Sequence, residues 1–367
     1  MAISSPPTGL GPSALTPLER VRLALAHQQP DRVPTDLWAV PELWQRLQDH
    51  FGGVSRQQVL LNLDVDLRWV VPRYVGPMRE LPGGLRANEF GSYRREVHHT
   101  YGSYQECAAW PLADAQTVAD VERWDWPRTE YWDMESVGPQ LDALDAQGQF
   151  FVCYDVGGIF DRSCDLVGLE QFLLNLSINP DVADAVMARM TDLYIANVTR
   201  LLQRYEGRIH MAYTWDDIGH QHALMVSPRM WRQHILPCHQ RLNRAIRQFD
   251  VKILYHSCGA IYPLIGEFIS GMGIDVLNPL QPSADGMDLP RIKREFGDRL
   301  AFHGAVDVQG TLPHGTSEEV AAEVRDRCQV LGRGGGYILA PSHAIQNDTP
   351  LENVLALYRT SRQVTSS

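Results

Sequence analysis

The sequence has no paired-cysteine motif, no basic cluster and no long apolar run, and each absence narrows what the chain can be. Its six cysteines (107, 153, 164, 238, 258 and 328) fall at irregular spacing with no CxxC pair. That argues against a disulfide framework and leaves thiols or metal ligands. Apart from Cys258, they read as small core or surface residues. Lys and Arg are scattered and the net charge is −11, so no nucleic-acid partner is expected. No apolar run approaches the roughly 20 residues that span a bilayer, so no membrane partner is expected either. The start, MAISSPPTGLGPSALT, lacks the basic residues and apolar core of a signal peptide. Residues 1–15 therefore read as a disordered lead-in to a cytoplasmic protein. No Gly-x-Gly-x-x-Gly follows the first apolar run, which counts against a dinucleotide-binding sheet.

Ordered structure is expected from Thr16. Thr16 can cap a helix, Pro17 can open it and Glu19 can complete a capping box. Eight short apolar runs then follow, each placed like a strand: 33–38, 65–73, 150–156, 208–215, 251–255, 275–280, 300–305 and 336–340. Helical patterns fill most gaps, among them 182–205, 228–249, 261–272, 289–296 and 317–331, the last opening on Ser-Glu-Glu. Strands alternating with helices imply parallel pairing through right-handed crossovers. Eight such units predict a (β/α)8 TIM barrel over residues 16–367 as a single domain. A doubly wound open sheet is the competitor. Residues 74–130 break the rhythm with Leu81-Pro-Gly-Gly84 and an alternating stretch from Arg94 to Cys107. They predict a β-hairpin insertion after strand 2. Such an insert would cap the barrel mouth or build the subunit contact of a homodimer, or else decorate the surface.

In this fold, chemistry collects at the C-terminal ends of the strands. Those ends carry Tyr154, Asp155, Trp215, Asp216, Asp217, then His220 and His222, then His256 and Cys258, Asn278 and Gln281, His303 and Asp307, and Ser342 and His343. Side chains on a strand alternate, so His256 and Cys258 point the same way. A nitrogen donor beside a thiolate makes half of a zinc site. His343, at the end of the last strand, is the best third ligand, with Asp217 or Asp216 as rivals. Three protein ligands and an open position are the layout of catalytic zinc. Asp217, Asp216 and His220 are candidates for proton transfer. Tyr154, Trp215, Gln281, His303 and Asp307 are candidates for binding substrate.

Several of these segments carry a resemblance. Thr214-Trp-Asp-Asp-Ile-Gly219, Leu224-Met-Val-Ser-Pro228, His256-Ser-Cys-Gly259, Asp275-Val-Leu-Asn-Pro-Leu-Gln-Pro282, Phe302-His-Gly-Ala-Val-Asp307 and Gly334-Gly-Gly-Tyr-Ile-Leu-Ala-Pro341 resemble the uroporphyrinogen decarboxylase superfamily. The likeness runs from about residue 16 to 360. It implies one (β/α)8 barrel, in agreement with the strand pattern. True decarboxylases of that superfamily carry an Arg-Gln-Ala-Gly-Arg stretch after the first strand. Here the region reads Trp38-Ala-Val-Pro-Glu-Leu-Trp44, without arginines. The other branch is similar to zinc-dependent methyltransferases that pass a methyl group to a cobalt corrinoid on a separate protein. Their zinc is held by His-x-Cys and a later Cys. The pair matches His256 and Cys258, and His343 stands where the later Cys would be.

The resemblance implies a zinc-dependent methyltransferase acting on a small O- or N-methylated molecule, with a corrinoid protein as partner. The alternative is a metal-independent decarboxylase in which Asp216 or Asp217 stabilises a protonated intermediate and His256 and Cys258 only shape the pocket. A third reading is an idle barrel that presents substrate to a partner.

Overall fold

A computed structural model describes residues 15–78, 80–81, 85–99 and 102–364. Most of the expected lead-in and the turn at residues 82–84 lie outside the described residues. Seven of the expected strands form one parallel sheet: β1 (Leu67–Val70), β2 (Phe151–Gly158), β3 (Met211–Trp215), β4 (Lys252–His256), β5 (Val276–Leu280), β6 (Ala301–Val306) and β7 (Tyr337–Pro341). Each is parallel to the next in that order. Helices Leu289–Phe296 and Ser317–Leu331 fall where the sequence pattern puts them. The latter is capped by Thr316, with Glu319 closing the capping box, rather than by Ser317. Thr16 and Glu19 form the expected box on Pro17–Leu25. No helix among the described residues is long and apolar enough to cross a membrane.

The first expected strand, 33–38, does not form as a strand. Pro34 has no N–H to contribute to a ladder, and the segment makes one isolated bridge, Thr35 to Leu339, with a second just beyond it, Ala39 to Ile345. It nevertheless touches both edges of the sheet. The Leu339 N–H donates to Pro34 O at 2.8 Å, and the Asp66 N–H donates to Thr35 O at 3.0 Å. The α/β sheet is therefore curled until its edge strands share one intervening segment, as in a TIM-like barrel. Between β1 and β2, strands Glu80–Leu81, Leu85–Ala87, Tyr93–His99 and Gly102–Ala109 pair antiparallel in a separate sheet.

Alternation along the strands sorts the side chains. Leu67, Phe151, Cys153, Met211, Leu254, Val276, Ala301 and Ile338 form one apolar cluster, closed by Val21 and Leu25 of the first helix. This cluster fills the lower barrel. Two residues further along, the same inward direction gives Trp69, Asp155, Tyr213, His256, Asn278 and His303. Apolar side chains thus plug the barrel from below, and polar and aromatic ones line its upper layer.

A buried ion network ties the closing segment down. Fully buried Asp66 accepts from Arg20 Nη1 at 2.6 Å, from Arg32 Nη1 at 2.7 Å and from the Thr35 N–H at 2.8 Å. Removing the carboxylate leaves two buried guanidinium groups short of a partner, which typically costs about 3–5 kcal/mol. Asp66→Ala is therefore expected to lose about that much stability in urea unfolding. A loss within about 0.5 kcal/mol would show that the segment does not depend on Asp66.

Candidate metal centre

The backbone that follows β4 is pinned residue by residue. The Ser257 N–H donates to Asn278 O at 2.8 Å, and the Ala260 N–H to His220 O at 2.9 Å. Between them, the Cys258 N–H donates to Asp217 Oδ1 at 2.8 Å and the Gly259 N–H to Gln281 Oε1 at 2.9 Å. Gly259 has φ +85°, and a Cβ there would lie 2.6 Å from His220 O. Only glycine allows that turn and that approach at once. The result is a fixed His256-Ser257-Cys258 arc with both ligand-type side chains on one side.

His256, Cys258 and His343 converge. Their donor atoms all lie within 4.8 Å of one another. Cys258 Sγ is 3.3 Å from His256 Nε2. A tetrahedral zinc with ordinary bond lengths spaces a sulfur and a nitrogen donor about 3.5 Å apart. The soft and borderline donor set suits zinc. Asp217 Oδ1 sits 3.4 Å from the same Nε2. Burial works to depress His256, yet Cys258 and Asp217 lift its pKa well above the usual imidazole value. A proton therefore competes for this imidazole, and a metal binding at Nε2 would displace it. Burial and the neighbouring His256 together lower the pKa of His343, and a neutral imidazole is the form that ligates.

The acids divide sharply. Asp216 and Asp217 follow the end of β3 and turn opposite ways. Asp216 is fully buried and contacts His239 Nε2 at 2.6 Å through Oδ2, while its Oδ1 accepts from the Asp161 N–H at 3.0 Å. Both oxygens are engaged away from the donor cluster, which corrects its expected place in catalysis. Asp217 faces the cluster. Burial opposes its ionisation, but His256 and the Cys258 N–H outweigh burial and hold its pKa at about 2. Asp161, which the sequence reading passed over, accepts from the Asp217 N–H at 2.8 Å. Burial, followed by repulsion from Asp216 and Asp217, raises its pKa to about 8. Burial likewise lifts Asp155 to about 6, against a hydrogen bond from Trp215 Nε1.

The remaining expected residues scatter. Trp215 stays at the strand end with the Arg162 guanidinium 4.9 Å over its ring. His220, Gln281, Ser342, Cys258 and His343 line one cleft of about 230 Å³. His222 is exposed and pairs with Asp285 at 3.2 Å. Asp307 Oδ1 accepts from the Gln309 N–H at 2.9 Å and so folds its own loop. Tyr154 packs in the helix-side core, because its direction along β2 is opposite to that of Asp155. His303 is fully buried behind His256, with both ring nitrogens engaged. Neither Tyr154 nor His303 has the open face a substrate contact needs. Trp38, Trp69 and Tyr213 form a wall not anticipated from sequence, with ring centroids 5.4–5.6 Å apart. Period-two spacing from Leu67 and Met211 was the available signal for Trp69 and Tyr213. For Asp161 it was an acid in the first turn after β2.

Comparison with known proteins points to one family. The family model described as uroporphyrinogen decarboxylase matches residues 111–364. A methylated-thiol–coenzyme M methyltransferase of Methanosarcina mazei is 25% identical over 54% of this chain and 49% of its own length. A uroporphyrinogen decarboxylase of Coxiella burnetii is 26% identical over 48% and 46%. The methylcobamide:CoM methyltransferase MtaA of Methanosarcina barkeri is 24% identical over 61% and 58%. The chain thus spans about half the length of the curated relatives it matches. A solved methyltransferase from Methanosarcina mazei shares the fold with a TM-score of 0.68 at 18% identity, covering 95% of this chain and 99% of that one.

Proposed function

The chain belongs to the uroporphyrinogen decarboxylase family, and from that premise we propose that it is a zinc-dependent methyltransferase. It takes the methyl group of a small O- or N-methylated molecule and passes it to a cobalt corrinoid on a partner protein. The observation that carries the reading is the convergence of His256, Cys258 and His343, with donor atoms within 4.8 Å. Relatives named for methylated thiols and methylcobamide support methyl transfer. The decarboxylase alternative needs cations for substrate carboxylates, and the segment 38–44 supplies Glu42 and no arginine. In this proposal residues 16–367 act as one barrel domain with residues 74–130 as the insert, in a cytoplasmic protein that pairs as a homodimer.

His256, Cys258 and His343 would hold the metal. When bound, it would act as a Lewis acid on the heteroatom that carries the methyl group. Asp217 remains an anion and keeps the Cys258 backbone in place. Trp38, Trp69, Tyr213 and Trp215 wall the site and exclude water. We assign the proton to Asp161, whose carboxylate holds the Asp217 N–H, and its relay to His220, which lines the cleft with Cys258 and His343. The heteroatom keeps the electron pair of its broken bond to carbon and takes the Asp161 proton. The acceptor supplies the pair for the new bond to the methyl carbon.

Transfer of isotopically labelled methyl groups to a reduced corrinoid tests the reading. Activity is expected to need about one zinc per chain, to vanish with a strong chelator and to be lost in His256→Ala. Full turnover without metal, or release of carbon dioxide with no corrinoid present, would overturn it.

The pH dependence follows from Asp161. Its protonated form is the active one, so turnover of the zinc-loaded protein is expected to fall as pH rises through the Asp161 value, about 8 before the charge of a metal lowers it. Asp161→Asn should lower the rate by about 10²–10⁴-fold and remove that limb. An unchanged limb in this variant would assign the proton elsewhere.

A further inference from the structure

A buried chain of side chains runs behind His256, and it begins 220 positions earlier in the sequence, at Asp36. Asp36 is 1% exposed. Its Oδ2 faces His303 Nε2 at 3.1 Å. His303 Nδ1 faces Asn278 Nδ2 at 2.7 Å. Asn278 Oδ1 then meets His256 Nδ1 in a short contact. His303 and Asn278 are fully buried. The same Asp36 carboxylate accepts from Trp38 Nε1 at 2.8 Å and from Trp69 Nε1 at 3.1 Å.

The order of donors along this chain follows from chemistry. An ionised carboxylate can only accept, so His303 presents N–H at Nε2 and a lone pair at Nδ1. That lone pair takes an N–H of the Asn278 amide, which turns the amide oxygen toward His256. His256 must then carry its hydrogen on Nδ1. Its Nε2 is left facing Cys258 and Asp217, as the nitrogen a metal would take once its proton is displaced. An amide is nearly symmetric in shape, so packing alone does not choose which end of Asn278 faces His256; the network does. With the amide reversed, His256 would carry its hydrogen on Nε2 and could not bind a metal there.

We infer that Asp36 is a positioning residue of the metal centre: through His303 and Asn278 it fixes which nitrogen of His256 is free to bind, and through two indole N–H groups it holds the aromatic wall to the same carboxylate. This inference rests on the metal-centre reading above. Partners of this kind behind a ligating histidine typically govern metal affinity by 10–100-fold. The position differs from a merely buried polar residue in one respect. Its effect on the metal passes through a single amide, so a change at that amide replaces it. A carboxylate in place of Asn278 accepts the His256 N–H by itself and needs no orientation from Asp36.

Zinc titration of the full chain in competition with a chelating indicator tests this. Asp36→Asn is expected to weaken zinc binding by about 10–100-fold. Asn278→Leu, which leaves Asp36 and both indoles in place, should show the same loss and carries the test if Asp36→Asn does not fold. The double variant Asp36→Asn, Asn278→Asp should return to within about threefold of the wild type, a factor under 1 kcal/mol. Wild-type affinity in Asp36→Asn and Asn278→Leu would overturn the inference while leaving the metal centre standing. Failure of the double variant to recover would also overturn it. A wild-type chain that binds no zinc would instead overturn the metal centre, and this inference with it.

Discussion

The upper layer of the barrel depends on one constraint: the backbone from Ser257 to Ala260 has no freedom left. Each of its amides is spoken for by a different neighbour, namely β5, Asp217, Gln281 and the loop at His220. The Gly259 turn presses against His220 O, where any Cβ would collide. A His-x-Cys pair on a loose loop would sample many geometries and bind a metal weakly. Here the ordering entropy is met by the fold before any ligand arrives, which is the condition for a preorganised site.

Electrostatics then separates four nearby carboxylates into different jobs. Asp217 lies beside His256 and stays charged. Asp216 is spent on His239 in the interior. Asp161, buried next to both, cannot also ionise cheaply and keeps its proton near neutral pH. Asp155, buried against Trp215, lies between these cases. Environments that push like groups apart in this way are what acid–base chemistry requires.

Much of this was legible in the sequence, and the limits are physical. The parallel strands could be placed because apolar runs bounded by helical patterns are a local signal. The segment 33–38 could not, because its single bridges to the sheet are a product of closure, and Pro34 rules out a regular ladder. His256 and Cys258 were legible because period two puts them on one side. His343 was legible because a strand end in this fold faces the same space. The parity of Asp216 and Asp217 was not legible, since the direction each takes depends on His239, which lies on a helix packed outside the sheet. Asp36 and Asp161 were missed for a related reason. Each is an ordinary acid locally, and only the folded neighbours give it a role.

The central claim is that His256, Cys258 and His343 share one metal ion. Zinc-edge X-ray absorption on the zinc-loaded full chain tests it most directly. The account predicts two nitrogen ligands at about 2.0–2.1 Å and one sulfur at about 2.3 Å, the sulfur vanishing in Cys258→Ser. A spectrum with no sulfur ligand, or one that Cys258→Ser leaves unchanged, would contradict it.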